Sequence, residues 1–249
     1  MSSFTIKIIA IITMLIDHVK DGILTKYSFL NVIGRIAFPL FAFQVAVGYE
    51  KTKNVYNYMK RMLLFALLSQ IPFYLFVQKF VEGRLWFNVI FTLLFGIMAM
   101  YIWDYKVEEK EEEKGEIINK ELANKLMLVF QWIVKLYLIV VLCFIAEFLK
   151  FDYGGLGVLF ILTIHLLFKK GTKWLFAIIY FLYCIIEFKE ALIDRGNKNA
   201  IPYVLFMYLP IIFMFLYNGK KGPSMKYFFY FFYPIHLTII LLISYLIGA

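Results

Sequence analysis

The sequence predicts an all-α protein: a polytopic transmembrane helix bundle of about nine spans with a cytoplasmic N-terminus. Three observations lead there. Of 249 residues, 63% are hydrophobic and 20% aromatic, against about 45–50% apolar usage in soluble domains. Mean hydropathy is +0.78. The charged residues, 17% of the chain, cluster between apolar runs of about 15–22 residues, the length a helix needs to cross the hydrocarbon core. These runs are continuous, whereas the strands of a membrane β-barrel would alternate. A helix, by contrast, satisfies its own backbone in lipid.

The runs are Phe4–Val19, Phe29–Tyr49, Met59–Val77, Trp86–Trp103, Leu126–Phe148, Leu156–Phe168, Lys173–Phe188, Ile201–Tyr217 and Tyr227–Ile247. The sixth is short and flanked by glycine, which leaves the range at eight to ten spans. Together they make one transmembrane domain over 1–249. The longest polar stretch, 104–125, contains EEKEEEKGE at 108–116 and reads as a solvated cytoplasmic loop or protruding helix. No internal repeat is evident, so an inverted-repeat transporter has little support. Cys143 and Cys184 lie inside apolar runs as small core residues. No cleavable signal peptide is expected, because the first run carries Asp17-His18 where small residues would precede a cleavage site.

The net charge of +9 comes from basic residues that flank spans. It points to membrane topology and anionic lipid, not to nucleic acid. Lys and Arg number 15 in the even-numbered loops and 8 in the odd-numbered ones. The excess assigns the even loops and the N-terminus to the cytoplasm.

Ionisable groups inside spans are costly and therefore candidate functional residues. Asp17 and His18 fall about fourteen residues into the first span, or roughly 20 Å of rise. Arg35 near the start of the second span, Asn88 opening the fourth and Asp152 in the fifth loop reach the same layer. A structural Asp17–Arg35 salt bridge is the plain alternative. Lys7 and His18 share one helix face, since eleven residues return within roughly 20° of the starting direction. Gln44, Ser69 and Gln70 lie deeper, as interhelical hydrogen-bond formers. His236 falls near mid-membrane, after Tyr233-Pro234. His165, in an apolar setting, reads as structural. The turn Asn218-Gly219-Lys220-Lys221-Gly222 offers amides and ammonium groups to phosphates, or serves only as a basic cytoplasmic turn.

The segments KIIAIITMLIDH (Lys7–His18), GRIAFPLFAF (Gly34–Phe43), RMLLFALLSQIPF (Arg61–Phe73), DYGGLGVL (Asp152–Leu159), LYNGKKG (Leu216–Gly222) and KYFFYFFYPIHL (Lys226–Leu237) resemble the TraX family over nearly the whole chain. The resemblance implies a multispanning acyltransferase, since the founding member acetylates the N-terminal amine of a pilin subunit, with acetyl-CoA as the implied donor. A looser similarity is to the acyltransferase-three membrane enzymes, in which an Arg takes the place of Lys7 ten residues from the first-helix His.

The expected function is transfer of an acetyl group from cytoplasmic acetyl-CoA to an amine or hydroxyl at the outer face of the cell membrane, with no metal. His18 is the expected base, oriented by Asp17, with Arg35 and Asn88 facing the oxyanion and His236 assisting. Lys7, Lys220 and Lys221 are expected to bind the donor. Asn88, Asp152, Gln44 and Gln70 are expected to bind the acceptor, a peptide or surface glycan. A small-molecule transporter or flippase is the rival reading.

Overall fold

The computed structural model describes residues 1–27, 29–81, 87–106, 117–168, 172–195 and 200–248; for 117–121, 186–195, 200–203 and 226 it describes the backbone alone. The acidic run 108–116 and the cations Arg84, Lys110, Lys114, Lys169, Lys170 and Lys198 lie outside the described residues.

The described chain is all-α, with one isolated bridge between Phe87 and Phe151. Each of the nine runs falls on one helix or on two consecutive helices. They are α1 Ser3–Gly22, α2 Leu30–Gly34, α3 Ala37–Lys51, α4 Val55–Phe80, α5 Val89–Asp104, α6 Ile117–Phe148, α7 Gly154–Thr163, α8 Lys173–Arg195, α9 Ala200–Tyr208, α10 Pro210–Phe215 and α11 Lys226–Ile247. Four stretches are long and apolar enough to cross a membrane by length and composition: Leu30–Lys51, Val55–Phe80, Leu122–Phe148 and Tyr227–Ile247. Four shorter apolar helices accompany them. Helix α1 falls outside both groups by composition, because Lys7, Asp17, Lys20 and Asp21 interrupt it.

Proline and capping residues explain the boundaries. The second run breaks at Arg35-Ile36, three residues before Pro39. Pro39 cannot donate to the Arg35 carbonyl, and it fits the first turn of a new helix. Pro210 divides α9 from α10 in the same way, as the first residue of α10. Ser2, Asn54 and Asn88 cap α1, α4 and α5, each side chain accepting a first-turn backbone N–H. The end of α7 widens into a π-turn, Ile164–Phe168, that carries His165.

The helices alternate in direction between two faces. On one face the N-terminus packs against the turn before α11: the N–H groups of Ser3 and Phe4 donate to the carbonyls of Lys220 and Lys221 at 2.9 and 3.1 Å. Lys51, at the end of α3, donates to Tyr217 Oη and to the Gly219 carbonyl. Gly222 has φ +73°, and a β-carbon there would come within 2.8 Å of Phe4 and Ser2. Only glycine lets the turn close onto α1. This basic face also holds the ends of α5 and α7. At the opposite face, the Asp152 N–H donates to the Phe87 carbonyl at 2.9 Å and Lys79 donates to Ser244 at 3.0 Å.

The core runs through α1, α3, α4, α5, α7 and α11. Only 11% of an 18-residue apolar stretch within Leu122–Phe148 is buried. That suits a helix facing lipid, where apolar side chains need no protein cover.

Candidate functional site

Helix α1 brings Lys7, Met14 and His18 toward α11. Lys7 Nζ stands 5.3 Å from the centre of the Phe229 ring, and His18 meets His236 with Nδ1 and Nε2 2.6 Å apart. The two imidazoles are within 14° of parallel, with centres 4.9 Å apart. Together with the short N···N contact, these values describe two rings meeting edge to edge in one plane, the arrangement a linear N–H···N bond requires.

The protonation pattern follows from a third group. His236 Nδ1 is 2.7 Å from the Phe232 carbonyl oxygen. An oxygen without a proton can only accept, so Nδ1 carries the hydrogen and Nε2 of neutral His236 is an acceptor. His18 Nδ1 must then donate to it. This leaves the lone pair of neutral His18 on Nε2, the atom a base uses. Phe76 and Tyr233 flank the His18 ring, with centres at 5.3 and 6.2 Å.

Between this pair and the basic face lies a cavity of about 410 Å³. Four cations line it: Lys7, Lys51, Arg61 and Lys221, with no carboxylate among the described lining residues. Tyr230 hydrogen-bonds the Arg61 guanidinium, which also lies 5.7 Å from the Tyr58 ring centre. Gln44 Oε1 accepts from Ser3 Oγ. Its Nε2 makes no hydrogen bond among the described residues, although the residue is only 5% exposed and lines the cavity. A buried amide donor with no protein partner is suited to an acceptor atom on a ligand. The inner end of the cavity reaches Met14, Val89 and Tyr233.

A second cavity, of about 270 Å³, opens near the opposite face between Arg35, Phe38, Asp152, Tyr153 and Tyr183. Tyr153 stacks on Phe38 at 3.7 Å between ring centres and holds a left-handed φ of 68°. The Asp152 carbonyl accepts from Thr92 Oγ1. Burial pushes the Asp152 carboxyl up to about 7; Arg35 opposes that rise and Asp17 adds to it. Arg35, Asp152 and Asp17 thus form one electrostatic group.

Several expected residues take places other than those the sequence suggested. His236 holds His18 by hydrogen bond, and Asp17 packs against another helix. Successive helical residues point about 100° apart, and Asp17 lies against Gly34, where any β-carbon would come within 2.2 Å of its carboxylate. Asn88 does not face an oxyanion or an acceptor. It is fully buried, and its amide donates to the Ala66 carbonyl and Gln70 Oε1, both at 2.8 Å, and accepts from the Ile90 N–H at 3.0 Å. Asn88 and Gln70 join α4 to α5, and an amide so occupied has little left to offer a ligand. Lys220 is absent from the described cavity lining, whereas Lys221 is present. The turn gives its carbonyls to α1, and the Lys220 N–H is taken by Asn218 Oδ1 at 3.1 Å. His236 is not at a separate depth from His18 but bonded to it.

Sequence reasoning missed Lys51, Arg61 and Tyr233. The two cations were visible as basic residues at span ends. Their convergence on one cavity depends on how α3 and α4 pack.

The sequence model of the TraX protein family matches residues 2–244. The chain belongs to the TraX family. It is also similar to a probable fimbrial assembly protein, FimC of serogroup H1, from Dichelobacter nodosus, 27% identical over 96% of this chain and 94% of that protein. No solved structure matches the chain. TraX membership and the apolar helices agree on a helical membrane protein.

Proposed function

We propose that this TraX-family chain is a membrane acyltransferase that moves an acetyl group from a coenzyme A thioester to an amine or hydroxyl acceptor. The observation that carries the reading is the cavity with four cations and no described carboxylate, which leads from the basic face to Tyr233 beside the two imidazoles. Such a lining suits a polyanionic donor, with phosphates at the cations and the acyl end inward. The basic face is cytoplasmic, because Lys and Arg favour its loops, and the membrane is the cytoplasmic one. The acceptor enters from the opposite face through the Arg35–Asp152 cavity.

In this scheme the acceptor nitrogen or oxygen attacks the thioester carbonyl carbon. His18 Nε2 takes its proton, and the positive charge is shared through Nδ1 with His236, whose own N–H rests on the Phe232 carbonyl. General base catalysis of this kind contributes about 10²–10⁴-fold. The C–S bond then breaks, and the proton passes to the departing thiolate. Phe76 and Tyr233 limit water at the base. The printed name of the Dichelobacter relative makes a pilin or other surface peptide the first acceptor to test.

Purified protein in detergent or nanodiscs should consume acetyl-CoA and release free thiol, with acetyl recovered on the acceptor peptide. Saturable passage of a solute across proteoliposomes, without thiol release, would replace this reading with a transporter.

A further inference from the structure

With Asn88 occupied in the α4–α5 joint, the thioester carbonyl needs a different hydrogen-bond donor, and Tyr233 meets the requirement by position. Tyr233 is 6% exposed, yet it lines the inner end of the cationic cavity. Its ring makes edge contacts with both imidazoles, 6.2 Å from His18 and 5.6 Å from His236. No other residue of the described cavity lining has ring contacts with both histidines. Val89 lines the same inner end of the cavity. Val89 is the first residue of α5, so its N–H belongs to the first turn of a helix and has no intrahelical partner. The Tyr233 hydroxyl lies within electrostatic reach of Asp152 and Tyr153 at the outer cavity.

A hydroxyl offers one donor and two acceptor sites. The Tyr233 hydrogen can therefore point at an acceptor in the cavity. Pro234, next in the chain, has no N–H to give the Tyr230 carbonyl four residues before.

We propose that Tyr233 is the oxyanion donor of the acyl transfer: its hydroxyl holds the thioester carbonyl oxygen at the inner end of the cationic cavity, beside the two imidazoles. The inference rests on the acyltransferase reading above. When the acceptor attacks, the new bond to carbon forms and the carbonyl π electrons move to oxygen. Tyr233 donates a hydrogen bond to that oxygen without surrendering its proton. As the intermediate collapses, the electrons return, C–S breaks and sulfur leaves. A donor aimed at charge that develops only in the transition state raises kcat more than it tightens substrate binding.

The test is Tyr233→Phe, which keeps the ring contacts with His18 and His236 and removes only the hydroxyl. Steady-state thiol release by purified wild type and variant should show kcat lower by about 10²–10³-fold, the usual effect of deleting one oxyanion donor, with donor KM within about twofold. The variant's affinity for a thioether analogue of acetyl-CoA, which lacks the carbonyl oxygen, should equal that of wild type, and this also checks that the variant is folded. A variant as active as wild type would overturn the assignment, and so would a loss confined to KM and matched in thioether affinity. Absence of thiol release in wild type itself would instead remove the acyltransferase reading on which the assignment stands.

Discussion

Two imidazole centres lie at different depths of this bundle, and they are built differently. His18 and His236 bond each other, and the far nitrogen of His236 rests on a neutral carbonyl. His165, on the π-turn at the end of α7, has Nε2 3.0 Å from Asp104 and Nδ1 3.7 Å from Glu50. It also meets the Tyr49 ring edge at 5.3 Å. Acceptor oxygens facing both ring nitrogens hold that imidazole in place. A neutral partner leaves a lone pair at the outer nitrogen. The first centre is suited to proton transfer, the second to tying α3, α5 and α7 together at the basic face. A π-turn is often found at functional sites, so the contrast requires testing.

The largest expected effect separates the two centres. His18→Ala should lower acetyl-CoA turnover by about 10²–10⁴-fold with donor affinity kept, measured by thiol release and by calorimetric titration. His165→Ala should leave turnover near wild type and melt earlier in detergent. An inactive but stable His165→Ala protein would reverse the assignment of roles.

Next in size is the donor cavity. Lys7→Ala with Lys221→Ala should raise donor KM, roughly tenfold per lost phosphate contact if each is worth about 1.5 kcal/mol, and change kcat less. Lys220→Ala should do little, since Lys220 is not among the described lining residues. Equal effects of Lys220 and Lys221 would place the phosphates on the open turn instead.

The outer cavity predicts a pH effect. Asp152 binds its proton more tightly folded than unfolded, because its carboxyl is pushed from 3.8 up to about 7, first by burial. A folded state that holds more protons loses stability as pH rises. Wild type should therefore melt progressively earlier between about pH 4 and 7 relative to Asp152→Asn, and the two should run parallel above that. A difference independent of pH would mean the carboxylate is ionised throughout.

The smallest effect should come from Asp104→Asn. The Asp104 side chain is 46% exposed, and an exposed ion pair is worth about 0.2–1 kcal/mol. The melting temperature should fall by no more than a few degrees, with turnover intact.

The sequence alone determined the all-α membrane class, the positions of the nine apolar runs and the presence of Asp17, His18 and Arg35 within them. Hydrophobic length and the cost of buried charge are properties of the chain itself, independent of neighbours. Lys7 and His18 could be assigned to one side because eleven residues nearly complete three helical turns. What the tertiary structure decided was partnership across helices. His236 is 218 residues from His18 along the chain, Asn88 is 18 from Gln70, and the carboxylates at His165 come from α3 and α5. No local pattern encodes such pairings, since they depend on the rotation and packing of whole helices. The same packing set Asp17 against Gly34, drew Arg61 and Lys51 into one cavity with Lys7, and placed Tyr233 at its inner end beside both imidazoles.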